Sequence, residues 1–96
     1  MTRLDAQAAR ARLAGLPGWE LDGDLIQRTY AFPDFVRAMR FVGAVAAEAE
    51  RVQHHPDILV RYSKVTLSLS THDVGGLSPK DFDFAALSDR LFLPAG

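Results

Sequence analysis

The sequence predicts an α+β fold: a two-layer sandwich in which a four-stranded antiparallel sheet carries helices on one face, in the order α-β-β-α-β-β-α. Three observations lead there. Segments of helical period alternate with pairs of short strand-like runs. Within each pair the connection is too short for anything but a hairpin, which makes the pairing antiparallel. The last run also alternates strictly, with Val65, Leu67 and Leu69 on one face and Thr66, Ser68, Ser70 and then His72 on the other. A sheet with one apolar and one polar face needs helical cover on one side only. Its other side is left to solvent or to a second subunit.

The first helix is expected in "LDAQAARARLAGLPGW", where Leu4, Ala8 or Ala9, Ala11 and Leu13 fall near helical spacing and Gly15 and Pro17 end it. In "WELDGDLIQRTYAF" the turn signal Asp22-Gly23 separates two runs holding Trp19, Leu21, Leu25, Ile26, Tyr30 and Phe32, which reads as a hairpin. "FPDFVRAMRFVGAVAAEAERVQ" is the strongest helix. Its predicted apolar stripe is Phe35, Met39, Val42, Ala46 and Ala49, and Pro33 suits its first turn. Pro56 disfavours helix at His55, so this helix should stop around Gln53. "DILVRYSKVTLSLSTHD" supplies the second strand pair, joined near Ser63-Lys64. The last helix, "LSPKDFDFAALSDRLF", has Ser78 as N-cap, Pro79 at its first position and Asp81 closing a capping box, with Phe84, Leu87, Leu91 and Phe92 as its apolar stripe.

The 96 residues, 1–96, are the length of one domain. The composition is that of a soluble globular protein, and a net charge of −1 argues against nucleic acid as partner. With no cysteine, disulfides, a thiolate nucleophile and cysteine-based zinc sites are excluded. The start lacks the apolar core of a signal peptide, and glutamates interrupt the most apolar helix too soon for a membrane span. The expected location is cytoplasmic, away from membranes.

All three histidines of the chain fall in two short stretches, "VQHHPDIL" and "LSTHDVGG". From the residues alone, three readings stand. His54 and His55 end a helix, where a cationic imidazole is favoured by about 0.3–1 kcal/mol, and His72 would then be a solvated strand residue. Three histidines can also bind zinc and leave a catalytic position open, although an adjacent pair lacks the helical or strand-alternate spacing usual for ligands. In the third reading, imidazoles around one pocket give and take protons near neutral pH without a metal.

The stretch "EAERVQHHPDILVRYSKVTLSLSTHDVGGLSPKDFDFA", residues 48 to 85, closely resembles the pterin-4a-carbinolamine dehydratase family. The family pattern is an acid, three residues, His-His-Pro, a spaced aromatic, a histidine and an aspartate. Glu50, His54, His55, Pro56, Tyr62, His72 and Asp81 fill those places in register, and "THDVGGLSPKD" is similar to the family's second block. "GWELDGD" and the lead into the long helix are similar as well, so the resemblance spans nearly the whole chain. One departure is Ile58, where better-known animal members have tryptophan; an aliphatic residue there removes no proton-transferring group.

The resemblance implies dehydration of a 4a-hydroxytetrahydropterin to the quinonoid dihydropterin, as in tetrahydrobiopterin recycling beside an aromatic amino-acid hydroxylase. It implies no metal and no cofactor, the pterin being the substrate. His54 and His72 are the implied proton-transferring pair, and His55 binds the substrate and assists. Gln53, Ser70, Thr71 and Asp73 are implied to line the pterin. Three residues are expected in support. Glu50, at i,i+4 from His54, either orients that histidine or is a solvated carboxylate. Tyr62 packs with its hydroxyl at the pocket edge, and Asp81 acts first as a cap. Members form homodimers or homotetramers. The rival function is non-catalytic: relatives serve as transcription-factor dimerisation partners or assembly factors on the same fold.

Overall fold

A computed structural model describes residues 3–95. Helix α1 (Ala6–Leu13), strands β1 (Glu20–Asp22) and β2 (Leu25–Ala31), helix α2 (Phe35–Val52), strands β3 (Asp57–Arg61) and β4 (Lys64–Leu69), and helix α3 (Pro79–Ala95) follow in the predicted order. A short 3₁₀ turn, His72–Val74, precedes α3. The sheet is antiparallel throughout, ordered β1-β2-β4-β3, so both hairpins share the central β2–β4 pair. No helix among the described residues is long and apolar enough to cross a membrane.

The alternation read in β4 is borne out: Val65, Leu67 and Leu69 are fully buried, and they face Ile26 and Tyr30 of β2 on the helix side. On the open side, Thr29 and Thr66 pair across the strands through their hydroxyls at 2.7 Å. Phe41 of α2 stacks on Tyr30 with ring centroids 4.6 Å apart, and Phe92 of α3 closes on both rings.

Several local expectations are corrected. The buried stripe of α2 is Ala38, Phe41, Val45 and Ala49, whereas Phe35 and Met39 are exposed. The apolar arc of the helix is broader than one stripe, and the predicted stripe follows its edge, sharing only Ala49 with the buried centre. Pro33 lies outside α2, and Asp34 caps it by accepting the Arg37 N–H at 2.8 Å. Leu4 likewise precedes α1, which Asp5 caps. The hairpin loops are Gly23-Asp24 and Tyr62-Ser63, each displaced by one residue from its expected place. The strand alternation ends at Leu69, so His72 sits on the 3₁₀ turn and not on the polar sheet face.

Candidate functional site

The end of α2 sets the site. Gln53 leaves the helix in the left-handed conformation (φ 55°), and its side-chain amide donates to the Glu50 carbonyl at 2.6 Å. That turn separates two adjacent side chains. His54 points inward with 11 % of its side chain exposed, and its ring lies edge-on to Phe84. His55 points outward with 55 % exposed. The prolyl residue that follows holds the chain extended into β3.

The second wall comes from the loop after β4. Thr71 and Gly76 form an isolated antiparallel bridge, with the Thr71 N–H donating to the Gly76 carbonyl at 2.7 Å. The loop between them winds into the 3₁₀ turn and closes at Gly75, whose φ of 67° suits a residue without a Cβ. His72 opens that turn, exposed, on the rim facing the α2 terminus.

Asp81, fully buried in the first turn of α3, ties the two walls together. Its Oδ2 accepts the Ser78 N–H at 2.9 Å and the Thr71 hydroxyl at 2.8 Å. Thr71 has one hydroxyl proton, so the Ser78 hydroxyl is the donor in the 2.6 Å Thr71–Ser78 contact. Only half of the expected capping box therefore exists: Asp81 reaches back to Ser78, while the Ser78 side chain turns to Thr71. The other oxygen, Oδ1, faces His54 Nε2 at 2.7 Å. Against a carboxylate the imidazole nitrogen is the donor, which leaves Nδ1 of His54 as a free acceptor. Asp81 is thus both cap and positioning residue, a second role the capping pattern alone could not reveal.

A cleft of about 260 Å³ opens between these walls. All three histidines line it, together with Gln53, Ser70, Thr71 and Asp73. The structure therefore brings together the residues that the sequence set out as catalytic and substrate-lining. Lys80 also lines the cleft. No sequence pattern assigns it a role; it lies in the first turn of α3. Glu50 accepts from His55 Nε2 at 2.5 Å, and not from His54, because the left-handed Gln53 breaks the i,i+4 register. Tyr62 is not brought to the cleft. It occupies the β3–β4 loop at φ 52°, 72 % exposed, at the opposite end of the hairpin from the histidines. Ile58, opposite Leu67 on the edge strand, does not line the cleft either. Among the described residues, no three His, Asp or Glu side chains are grouped to hold a metal ion.

The cleft anchors one imidazole by a buried acceptor and exposes a second on a loop, with the amide side chain of Gln53 and the hydroxyl of Ser70 also in its lining. Comparison with known proteins points to one family. The family described as pterin 4 alpha carbinolamine dehydratase matches residues 2–91. A provisionally named pterin-4-alpha-carbinolamine dehydratase of Acidobacterium capsulatum is 50% identical over 91 residues, 95% of this chain and 99% of that protein. One of the same provisional name from Roseiflexus sp. (strain RS-1) is 49% identical, over 94% of this chain and 97% of its own. Among solved structures, a transcriptional coactivator/pterin dehydratase from Brucella melitensis superposes with a TM-score of 0.89 at 32% identity, covering 98% of this chain and 99% of that one. A pterin dehydratase-like RuBisCO assembly factor of the alpha-carboxysome shares the fold, with a TM-score of 0.65 at 24% identity over 76% of this chain and 84% of that one.

Proposed function

The chain belongs to the pterin 4 alpha carbinolamine dehydratase family, and from that premise we propose that it converts a 4a-hydroxytetrahydropterin to quinonoid dihydropterin and water by histidine acid–base catalysis. In this reaction the C4a–O bond breaks, the N5 proton leaves, and the electrons of the N5–H bond form the C4a=N5 double bond. Hydroxide leaves poorly, so a general acid must deliver a proton to the departing oxygen while a base takes the N5 proton. Such assistance is worth about 10²–10⁴-fold. The electrons balance without an acceptor, so the reading needs no redox cofactor, and it assigns both proton transfers to histidines, with no metal.

The observation that carries the reading is the convergence of the only three histidines of the chain on one cleft, with one of them held by a buried carboxylate. His54 and His72 are the proton-transferring pair, and they enter the cleft from different walls. His54 has a fixed ring and a defined tautomer. His72 makes no side-chain hydrogen bond among the described residues, which leaves it free to follow the substrate. His55, oriented by Glu50, binds and assists. Gln53 and the 70–73 segment receive the amide-like edge of the pterin. The substrate would come from a reaction that hydroxylates an aromatic ring with a tetrahydropterin as co-reductant. Phe35, Val36 and Met39 form an exposed apolar face suited to a homodimer or homotetramer.

The test is the dehydration rate of freshly generated 4a-hydroxytetrahydropterin above its spontaneous rate, for wild type, His54→Ala and His72→Ala, each with and without a chelator. Chelator-resistant acceleration that falls by about 10²-fold or more in both variants is expected. Folded wild-type protein that gives no acceleration would defeat the proposal and turn attention to the assembly and coactivator roles named for structural relatives.

A further inference from the structure

A second cleft of about 300 Å³ adjoins the first, between the end of α2 and one face of α3. The two share His54 and Lys80, so a molecule lying against His54 borders both. The histidine cleft alone falls just below the size usual for a small-molecule site, roughly 300–1,000 Å³, and the pair falls within it. The second cleft has an apolar floor of Val52, Phe84 and Leu87 and a cationic rim of Arg51, Lys80 and Arg90. On α3 the rim and floor positions 80, 83, 87 and 90 recur at helical spacing, which aligns them along one face.

The charges do not cancel. Arg51 is held by Glu48 through two contacts, at 3.0 and 2.9 Å, and that pairing draws the Glu48 carboxyl below its ordinary range. Asp83 is the single carboxylate in the lining. Lys80 and Arg90 make no ion pair among the described residues and remain for a ligand.

We propose that the second cleft receives the substituent of the pterin, and that this substituent is anionic, ending in a phosphomonoester or a carboxylate. The inference rests on the dehydratase reading and adds its substrate class. The bicyclic ring occupies the histidine cleft, the substituent crosses His54, its carbon stem lies on Val52, Phe84 and Leu87, and its terminal anion meets Lys80 and Arg90. A neutral hydroxylated side chain would draw no ion pair from either cation.

The test compares 4a-hydroxytetrahydropterins carrying a 6-methyl group, a 6-substituent ending in a phosphomonoester, and one ending in a carboxylate. The readout is the ratio of kcat/KM for each anionic compound to that of the 6-methyl compound in the same preparation, so partial misfolding cancels. A preference of about tenfold is expected for one anionic arm, carried by KM, the scale that two partly exposed ion pairs supply. The preference should shrink toward one in 0.5 M salt. Arg90→Glu should cut it by about fivefold or more, and Lys80→Glu, the second cation assigned to the anion, should cut the same ratio likewise. A ratio near one for both anionic arms, with the 6-methyl compound turned over, would overturn this inference and leave the dehydratase reading standing. No turnover of any of the three would overturn both.

Discussion

Two aspartates on α3, eight residues apart, each organise a cluster of donors, and they differ in what they hold. Asp81 is fully buried and gathers a histidine, a threonine and a backbone N–H at the mouth of the cleft. Asp89 is about a quarter exposed and gathers Trp19 Nε1 at 3.1 Å, an Arg28 guanidinium N–H at 2.8 Å and the Tyr30 hydroxyl at 2.5 Å, all on Oδ1. Arg28 also stacks over the Tyr30 ring at 4.4 Å. Both carboxylates satisfy buried donors, which would otherwise be costly. At Asp89 every donor belongs to a packed core residue or to the cation over it, so the network closes the fold and ends there. At Asp81 one donor is an imidazole whose other nitrogen is free, so the network ends in a group that can move a proton. The difference lies in the partner, and the carboxylate itself is the same.

Isosteric amides should separate the two. In Asp81→Asn the oxygen side stays with Thr71 and Ser78, which donate, so the new NH₂ faces His54 Nε2. An amide donor there forces the proton of the ring onto Nδ1, the wrong tautomer for the cleft. The expected result is a fall of about 100-fold in kcat, within the range of one acid–base contribution, while the protein stays folded. A kcat within threefold of wild type would mean that Asp81 acts as a cap alone. Asp89→Asn should do the reverse. It removes the charge opposite Arg28 and leaves an unmatched amide N–H, so unfolding stability should drop by about 2 kcal/mol in denaturant titration, with kcat/KM little changed.

The fold was legible because period-two alternation in β4 and the Pro56 break of α2 are local signals that tertiary packing did not override. The histidine set was legible through its residues and their family register. What the sequence hid depended on backbone turns. The left-handed Gln53 sends Glu50 to His55, and the Thr71–Gly76 bridge lifts His72 off the strand face. The apolar stripe of α2 was misplaced because Phe35 and Met39 widen its apolar arc beyond the buried centre, onto an exposed edge. Lys80 carries no sequence signal at all: its place at the junction of two clefts follows from where α3 starts.

Tyr30 sharpens the Asp89 side of the comparison. Burial, followed by the hydrogen bond to Asp89, holds its phenol well above the ordinary tyrosine range. The folded protein therefore keeps this proton at pH values where the unfolded chain, titrating near 10, begins to lose it. Above about pH 10 the unfolded state binds fewer protons, so stability must fall as pH rises, and below that this group adds no pH dependence. Tyr30→Phe should lose about 1 kcal/mol at neutral pH and show a shallower alkaline decline than wild type, read as the midpoint of unfolding against pH. Equal slopes in the two proteins would remove Tyr30 from the alkaline response.

Glu50 tests the open end of the site. Its contact with His55 is short, but both side chains are mostly in water, where such a pair contributes little. Glu50→Gln keeps an acceptor for the imidazole and should lower kcat/KM only about two- to fivefold, far less than Asp81→Asn. An effect as large as that of Asp81→Asn would mean that His55, and not His54, is the histidine whose orientation limits the reaction.

Tyr62 gives the smallest expected effect and the cleanest check on what lies within reach of the cleft. Its backbone sits at φ 52°, a conformation that costs an L-residue roughly 1–2 kcal/mol and that glycine adopts freely. Its side chain is mostly exposed, so Tyr62→Gly removes strain and little packing. Set against the greater entropy glycine loses on folding, a net gain of about 0.5 kcal/mol in unfolding stability is expected, with kcat/KM unchanged. Within one chain Tyr62 lies at the far end of the β3–β4 hairpin from the histidines, so no direct route connects it to catalysis. A several-fold loss of kcat/KM in the folded variant would therefore require Tyr62 to reach the cleft of a second copy, and the site would be one that two chains build together.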